Sequence, residues 1–206
     1  MRINIAQISY PVRVLGPGKR IGIWVQGCLK RCPKCIAGPF LREEGGVSYP
    51  VEVLKDEILF YLQSTDAAGI TISGGEPLLQ WPALRSILQS LRAKAKPFSC
   101  VLYTGYKRLS SGNFEGLNGG KAEGIEDLVD LIIDDEYVDQ LNDGTFMRGS
   151  SNQGLHFLNS SFQTEFEKYA VAQGSKRGFQ MFQKDNFVAG MPPRGFLKEL
   201  AGLVRN

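Results

Sequence analysis

The 206-residue sequence is poor in the residues that most often announce a function: it has one histidine, four cysteines and two tryptophans. Charge of one sign is also lacking, with 24 Lys+Arg against 21 Asp+Glu and a net charge of +3. The basic residues are spread out apart from a knot at Lys30–Lys34, which argues against a nucleic-acid partner. No apolar run reaches the ~18 residues of a membrane-spanning helix. The start, Met1-Arg2-Ile3-Asn4-Ile5, lacks the apolar core of a secretory signal. The expectation is a cytoplasmic chain with no membrane partner, in a compartment where thiols stay reduced. Internal repeats and low-complexity segments are absent, and a hydrophobic content of 43% is ordinary. A chain of this length reads as one domain that buries its core without disulfide staples.

What is present is concentrated. Three of the four cysteines form Cys28-Leu29-Lys30-Arg31-Cys32-Pro33-Lys34-Cys35, a C-x3-C-x2-C run. No fourth ligand follows nearby, and His156 lies far along the chain. A disulfide framework would leave a thiol over. A structural zinc site usually takes a second paired knuckle, which is missing. A cubane iron–sulfur cluster on three thiolates, with one iron open to a ligand, fits best. Lys30, Arg31 and Lys34 interleave the cysteines, and such cations are expected to lower thiol pKa and offset cluster charge.

Along the chain, Arg2–Ser9 alternates as a strand, and Ile21–Val25 reads as a strand leading into the cysteine loop. Val51, Leu54, Ile58, Leu59 and Leu62 make a helical stripe. Gly69–Ser73 is a strand. Pro82 opens a helix whose face is Leu84, Ile87, Leu88 and Leu91. Phe98–Tyr103 and Asp130–Asp134 are further strands, with a short helix over Ile125–Val129. Residues 110–124 are rich in Gly, Ser and Asn and read as a mobile loop or insertion. A hairpin is expected over 178–190 and a closing helix over Gly195–Val204. Strands alternating with helices imply an α/β fold with mainly parallel strands. In such sheets function collects at the C-terminal strand ends, where the cysteine loop, Gly74-Gly75-Glu76-Pro77, Thr104-Gly105 and Asp134 all fall.

The cysteine loop followed by a strand-end Gly-Gly-Glu-Pro resembles the radical S-adenosylmethionine superfamily. Within it the chain is most similar to the small glycyl-radical activating enzymes, among them the activators of anaerobic ribonucleotide reductase. The supporting segments are Gly16-Pro17-Gly18-Lys19-Arg20, Gln26-Gly27-Cys28, Tyr103–Tyr106 and Arg148-Gly149-Ser150-Ser151-Asn152-Gln153. The resemblance implies a partial open (βα) barrel, with a core over 1–158 and a C-terminal extension over 159–206 packed on it. It implies a 4Fe-4S cluster on Cys28, Cys32 and Cys35, whose free iron binds S-adenosyl-L-methionine. Gly74, Gly75, Glu76, Pro77, Thr104, Asp134, Arg148, Ser150, Asn152 and Gln153 are the implied cofactor contacts. Reductive cleavage would give a 5′-deoxyadenosyl radical that activates a glycyl-radical partner enzyme, with electrons from a donor such as flavodoxin or ferredoxin. Alternatives are direct modification of a small molecule or peptide, and a non-catalytic electron-transfer module. Lys34 stands where the family often has glycine, and Asp135 follows Asp134 where glycine is usual.

The residues themselves support this use. Glycines at 74 and 75 are expected to let a ligand approach the backbone closely. Glu76 offers an acceptor for an ammonium group. Cys100 sits between apolar neighbours and reads as a buried structural thiol. His156, Trp24 and Phe98 read as packed residues. Residues 110–124 and 178–190, as exposed elements without cofactor motifs, are the expected contacts for a protein substrate.

Overall fold

The computed structural model describes residues 1–174, 178–183, 187–193 and 196. In chain order the elements are β1 (Arg2–Val12), β2 (Arg20–Val25), β3 (Val47–Pro50), α1 (Val51–Ser64), β4 (Gly69–Gly74), α2 (Trp81–Lys94), β5 (Ser99–Tyr103), β6 (Arg108–Ser110), β7 (Asn113–Phe114), α3 (Ile125–Leu128), β8 (Leu131–Ile133), β9 (Leu155–Phe157), α4 (Ser160–Ala172), β10 (Phe179–Phe182) and β11 (Phe187–Gly190).

Seven strands form one sheet in the order β3-β1-β2-β4-β5-β8-β9. The central run β2-β4-β5-β8 is parallel. Its flanks are antiparallel: β1 pairs with β2 and β3, and β9 with β8. The expected mainly parallel strands form the centre of the sheet, with antiparallel strands at its flanks. Every position of β2 is buried, as a strand covered on both faces requires.

The two-residue period of the strands sorts side chains into two cores. Ile21, Ile23, Cys100, Leu102 and Ile132 face a layer made by α1, α2 and α3. Trp24, Val101, Tyr103, Leu131 and Ile133 face the opposite layer, which includes Phe162 and Phe166 of α4 and Ala189 of β11. Helix α1 buries Val51, Leu54, Ile58 and Leu62, the i, i+3, i+4 stripe that the sequence shows. Helix α2 carries Pro82 in its first turn, where the missing N–H costs nothing.

At the N-terminal ends of the parallel strands, Arg20 is fully buried. Its guanidinium donates to Thr71 Oγ1 at 2.6 Å, Ile70 O at 2.6 Å, Ser99 Oγ at 2.9 Å, and Pro17 O and Ser99 O at 3.1 Å. Burial lowers its pKa to about 10. This saturated cation ties the starts of β2, β4 and β5 together and leaves the opposite strand ends to the site.

Residues 110–124, expected as a mobile loop or insertion, carry apolar anchors that their composition hides. Phe114, Leu117 and Ala122 are buried in the core, and Glu126 accepts from Gly112 N at 2.6 Å. The segment folds as the β6–β7 hairpin plus an Asn113–Lys121 bridge. Three apolar anchors among many glycines suffice to fix it. The hairpin over 178–190 forms as β10–β11. The expected helix at Gly195–Val204 falls, apart from Phe196, outside the described residues. No helix among the described residues is long and apolar enough to cross a membrane.

Candidate active site

The loop after β2 carries the three cysteines. Its root is fixed by Gly27 N donating to Phe40 O at 2.8 Å and Cys28 N donating to Leu41 O at 3.0 Å. Cys28 is buried, while Cys32 and Cys35 are half-buried. All three line one cavity of about 550 Å³, within the usual size of a ligand pocket. Burial raises the Cys32 thiol and pushes Cys35 up to about 11. Two of the interleaved cations pair with carboxylates. Lys30 pairs with Glu136 at 2.9 Å and lies 4.5 Å above the Tyr106 ring. Lys34 pairs with Asp139 at 2.8 Å. Both reach carboxylates across the cavity, on the loop that follows β8.

Lys34 also adopts a left-handed backbone, φ +60°. A Cβ costs about 1–2 kcal/mol in that geometry, so glycine would suit the position. An exposed ion pair returns only about 0–1 kcal/mol. Lys34→Gly is therefore expected to hold or raise the unfolding midpoint of the metal-free protein. A clear drop in thermal unfolding would show that the Asp139 pair outweighs the strain.

The Gly-Gly-Glu-Pro turn leaves β4 beside this loop and bonds directly to it. Gly75 N donates to Val25 O at 2.7 Å, and Glu76 N donates to Gly27 O at 2.8 Å. A Cβ on Gly74, at φ +106°, would lie 2.5 Å from Val25 N. A Cβ on Gly75 would lie 2.7 Å from the Gly27 carbonyl carbon and nearer still to its oxygen. The glycines thus bring chain against chain, a reason beyond the ligand approach expected of them. Gln80 completes the joint by donating to Gln26 O at 3.1 Å and Asn4 O at 3.0 Å.

Glu76 is 1% exposed and ties β4 to β5. Its Oε1 accepts from Leu78 N at 2.9 Å and Thr104 Oγ1 at 2.7 Å, and its Oε2 accepts from Gly105 N at 2.7 Å. Burial raises its pKa, outweighing these bonds and the Lys30 charge. Gln153 also lines the cavity. Its Oε1 accepts from Gly149 N at 2.7 Å, and its Nε2 donates to Asp135 O at 2.9 Å.

Of the residues singled out in the sequence, Cys28, Cys32, Cys35, Gly74, Gly75, Glu76, Thr104 and Gln153 share the cavity. The others stand behind it. Pro77 is buried at the start of the turn that Glu76 caps. The Asp134 carboxylate accepts from Arg108 N at 2.6 Å and Gly154 N at 3.0 Å, with His156 Nε2 also 3.0 Å away. Its neighbour Asp135, not Asp134, lines the cavity. Arg148 donates to Gln153 O at 3.2 Å, Ser150 Oγ accepts from Val138 N at 3.1 Å, and Asn152 donates to Glu136 O at 2.8 Å. Those three shape the loop that presents Asp135, Tyr137 and Asp139 to the cavity. Sequence reasoning did not find Tyr137, Asn142 or the wall at Met191, Pro192 and Pro193. No local signal marks them.

Among the described residues no three His, Cys, Asp or Glu side chains are arranged to hold a single metal ion. The donor set that does share a cavity, three thiols beside a polar wall, fits a cluster with one open iron. A parallel strand-end site of this composition, with the cysteine loop bonded to Gly-Gly-Glu-Pro, is that of a radical S-adenosylmethionine enzyme.

Residues 14–156 match a family model described as a 4Fe-4S single cluster domain. The anaerobic ribonucleoside-triphosphate reductase-activating protein of Escherichia coli (strain K12) is 32% identical over 155 residues, spanning 72% of this chain and 96% of the relative. The protein of that name from Enterobacteria phage T4 is 32% identical over 146 residues, 69% of this chain and 86% of the relative. A shorter match, 40% identical over 81 residues, joins 38% of this chain to 32% of the pyruvate formate-lyase-activating enzyme of Staphylococcus epidermidis (strain ATCC 12228 / FDA PCI 1200). The chain belongs to the 4Fe-4S single cluster domain family of radical S-adenosylmethionine activating enzymes.

Proposed function

We propose that this chain activates a glycyl-radical partner enzyme. The observation that carries the reading is the hydrogen-bonded union of the cysteine loop and Gly-Gly-Glu-Pro around one cavity, in a chain whose relatives are named as activating proteins. Cys28, Cys32 and Cys35 would hold a 4Fe-4S cluster, and the cavity would hold S-adenosyl-L-methionine. Bound there, the pair supplies one-electron cleavage of a sulfonium and a 5′-deoxyadenosyl radical able to abstract hydrogen.

The chain's own residues bind and orient. Glu76, held by Leu78, Thr104 and Gly105, presents a fixed acceptor to an ammonium group. Gln153 fixes the 149–150 backbone and Asp135 on the facing wall. Apolar neighbours such as Ile36 and Leu41 keep water from the reacting atoms. The central sheet is read as a partial, open (βα) barrel over 1–158, with 159–206 packed on it as one unit. Support for that comes from Phe166 of α4, whose ring packs 5.1 Å from Phe157 of β9. The working compartment is the cytoplasm, and the electron donor a flavodoxin or ferredoxin.

The test is anaerobic reconstitution with iron and sulfide, then dithionite and S-adenosyl-L-methionine, with and without an anaerobic ribonucleoside-triphosphate reductase from the same source. Slow 5′-deoxyadenosine release alone, and a glycyl-radical electron paramagnetic resonance signal with the partner, are expected. Deuterium passing from a small metabolite into 5′-deoxyadenosine would replace this reading with direct modification of that metabolite.

A further inference from the structure

The cavity has a wall that lies outside the family-matched part of the chain. Family similarity ends at residue 156, yet Met191, Pro192 and Pro193 line the same space as the three cysteines and Glu76. These residues follow β11 directly, so the C-terminal extension reaches into the site rather than only covering the sheet.

The extension is anchored where it can hold such a wall. Strands β10 and β11 pair from Phe179↔Gly190 to Phe182↔Phe187. The Phe187 ring meets Trp24 of β2 edge-on at 4.6 Å and lies 5.9 Å from Phe40, at the root of the cysteine loop. Gln180 accepts from Arg13 N at 2.9 Å and donates to Pro11 O at 2.8 Å, clamping the hairpin to β1. Gly190, at φ +91°, turns the chain out of the strand, and Met191 N then donates to Gly178 O at 2.9 Å. The wall therefore starts from a fixed point.

Its chemistry is selective. Two consecutive prolines offer no N–H donor and hold φ near one value, so they present a stiff apolar surface. Met191 is the adaptable part, with an unbranched thioether that fills irregular space. The same cavity is lined by Glu76, Thr104 and Gln153, the polar residues assigned above to the cofactor.

We propose that Met191-Pro192-Pro193 is the substrate-side wall of the cavity and that Met191 sets how bulky a group can reach the cysteine end. This rests on the functional reading above for what the substrate is, but not for whether the wall gates access. Met191 thereby becomes a specificity-determining residue.

The test uses the full-length, metal-free, reduced chain with Met191→Ala and Met191→Phe. Modification of Cys28, which is buried and lines the cavity, is followed by peptide mass mapping with iodoacetamide and with a bulky fluorescein maleimide. Tryptophan emission reports that the hairpin remains docked, through Trp24 beside Phe187 over the background of Trp81 in α2. Relative to iodoacetamide, the bulky reagent should gain roughly tenfold in Met191→Ala and lose access in Met191→Phe, on the scale by which pocket bulk discriminates. Phe187→Ala, which removes the anchoring ring, should resemble Met191→Ala in access while changing tryptophan emission. Unchanged size selectivity in both Met191 variants, with tryptophan emission as in the parent, would overturn the proposal. If the parent activates no partner enzyme while the selectivity shifts as described, the functional reading fails and the wall stands.

Discussion

Replacing Cys28, Cys32 or Cys35 with alanine is expected to abolish cluster assembly, whereas Cys100→Ala should leave about four irons per chain, the content of one cubane cluster. The three loop cysteines share the cavity, and each removal leaves two ligands for four irons. Cys100 is fully exposed to none of this chemistry: it lies in the core layer under α1–α3 with no solvent exposure, and burial pushes its thiol up to about 12. Iron and sulfide analysis with the broad visible absorption of the reconstituted protein measures the difference. Loss of iron from Cys100→Ala alone, with the apo-fold intact, would show that the ligand set is wrong.

A branched side chain at Gly75 is expected to have the second largest effect, and to strike the cluster as well as the cofactor. A Cβ there meets the Gly27 carbonyl carbon at 2.7 Å, so Gly75→Val drives the Gly-Gly-Glu-Pro turn away from the base of the cysteine loop. Overpacking of this kind costs typically 1–3 kcal/mol, and backbone cannot rotate aside as a side chain can. Gly105→Ala is the matched control. Its Cβ would sit 3.3 Å from Lys30 Cγ and 3.4 Å from Glu76 Oε2, where a flexible lysine can yield. Chemical unfolding of the metal-free proteins, together with iron content after reconstitution, separates the two. Full iron and unchanged stability in Gly75→Val would mean that the joint between the motifs tolerates displacement.

The parts of this protein legible in its sequence are those whose signal is local. The cysteine loop is contiguous, β2 and β5 are buried apolar runs, and the α1 and α2 stripes repeat with the helix. Strand β3 escaped notice because it is a short edge with mostly exposed residues, defined only by pairing with β1. Strand β9 escaped for a similar reason, its three positions being half-buried against β8. In 110–124 the glycine content masked Phe114, Leu117 and Ala122. Polar residues were hardest to assign. Asp134 and Asn152 look alike in sequence whether they face a ligand or a backbone amide, and only tertiary geometry decides. The Met-Pro-Pro wall carries no chemistry that a sequence pattern would flag.

The bonds from Gly75 N to Val25 O and from Glu76 N to Gly27 O carry a lesson for protein engineering. They extend the parallel β2–β4 pairing beyond its last registered partners, Val25↔Gly74. What would have to be transplanted to build this centre on another scaffold is therefore a pair of neighbouring strand ends in correct register, not two portable loops. Of the crossover between them, the cysteine loop and its Phe40–Leu41 root travel with β2, and only the stretch between that root and β3 could be exchanged while the register survived.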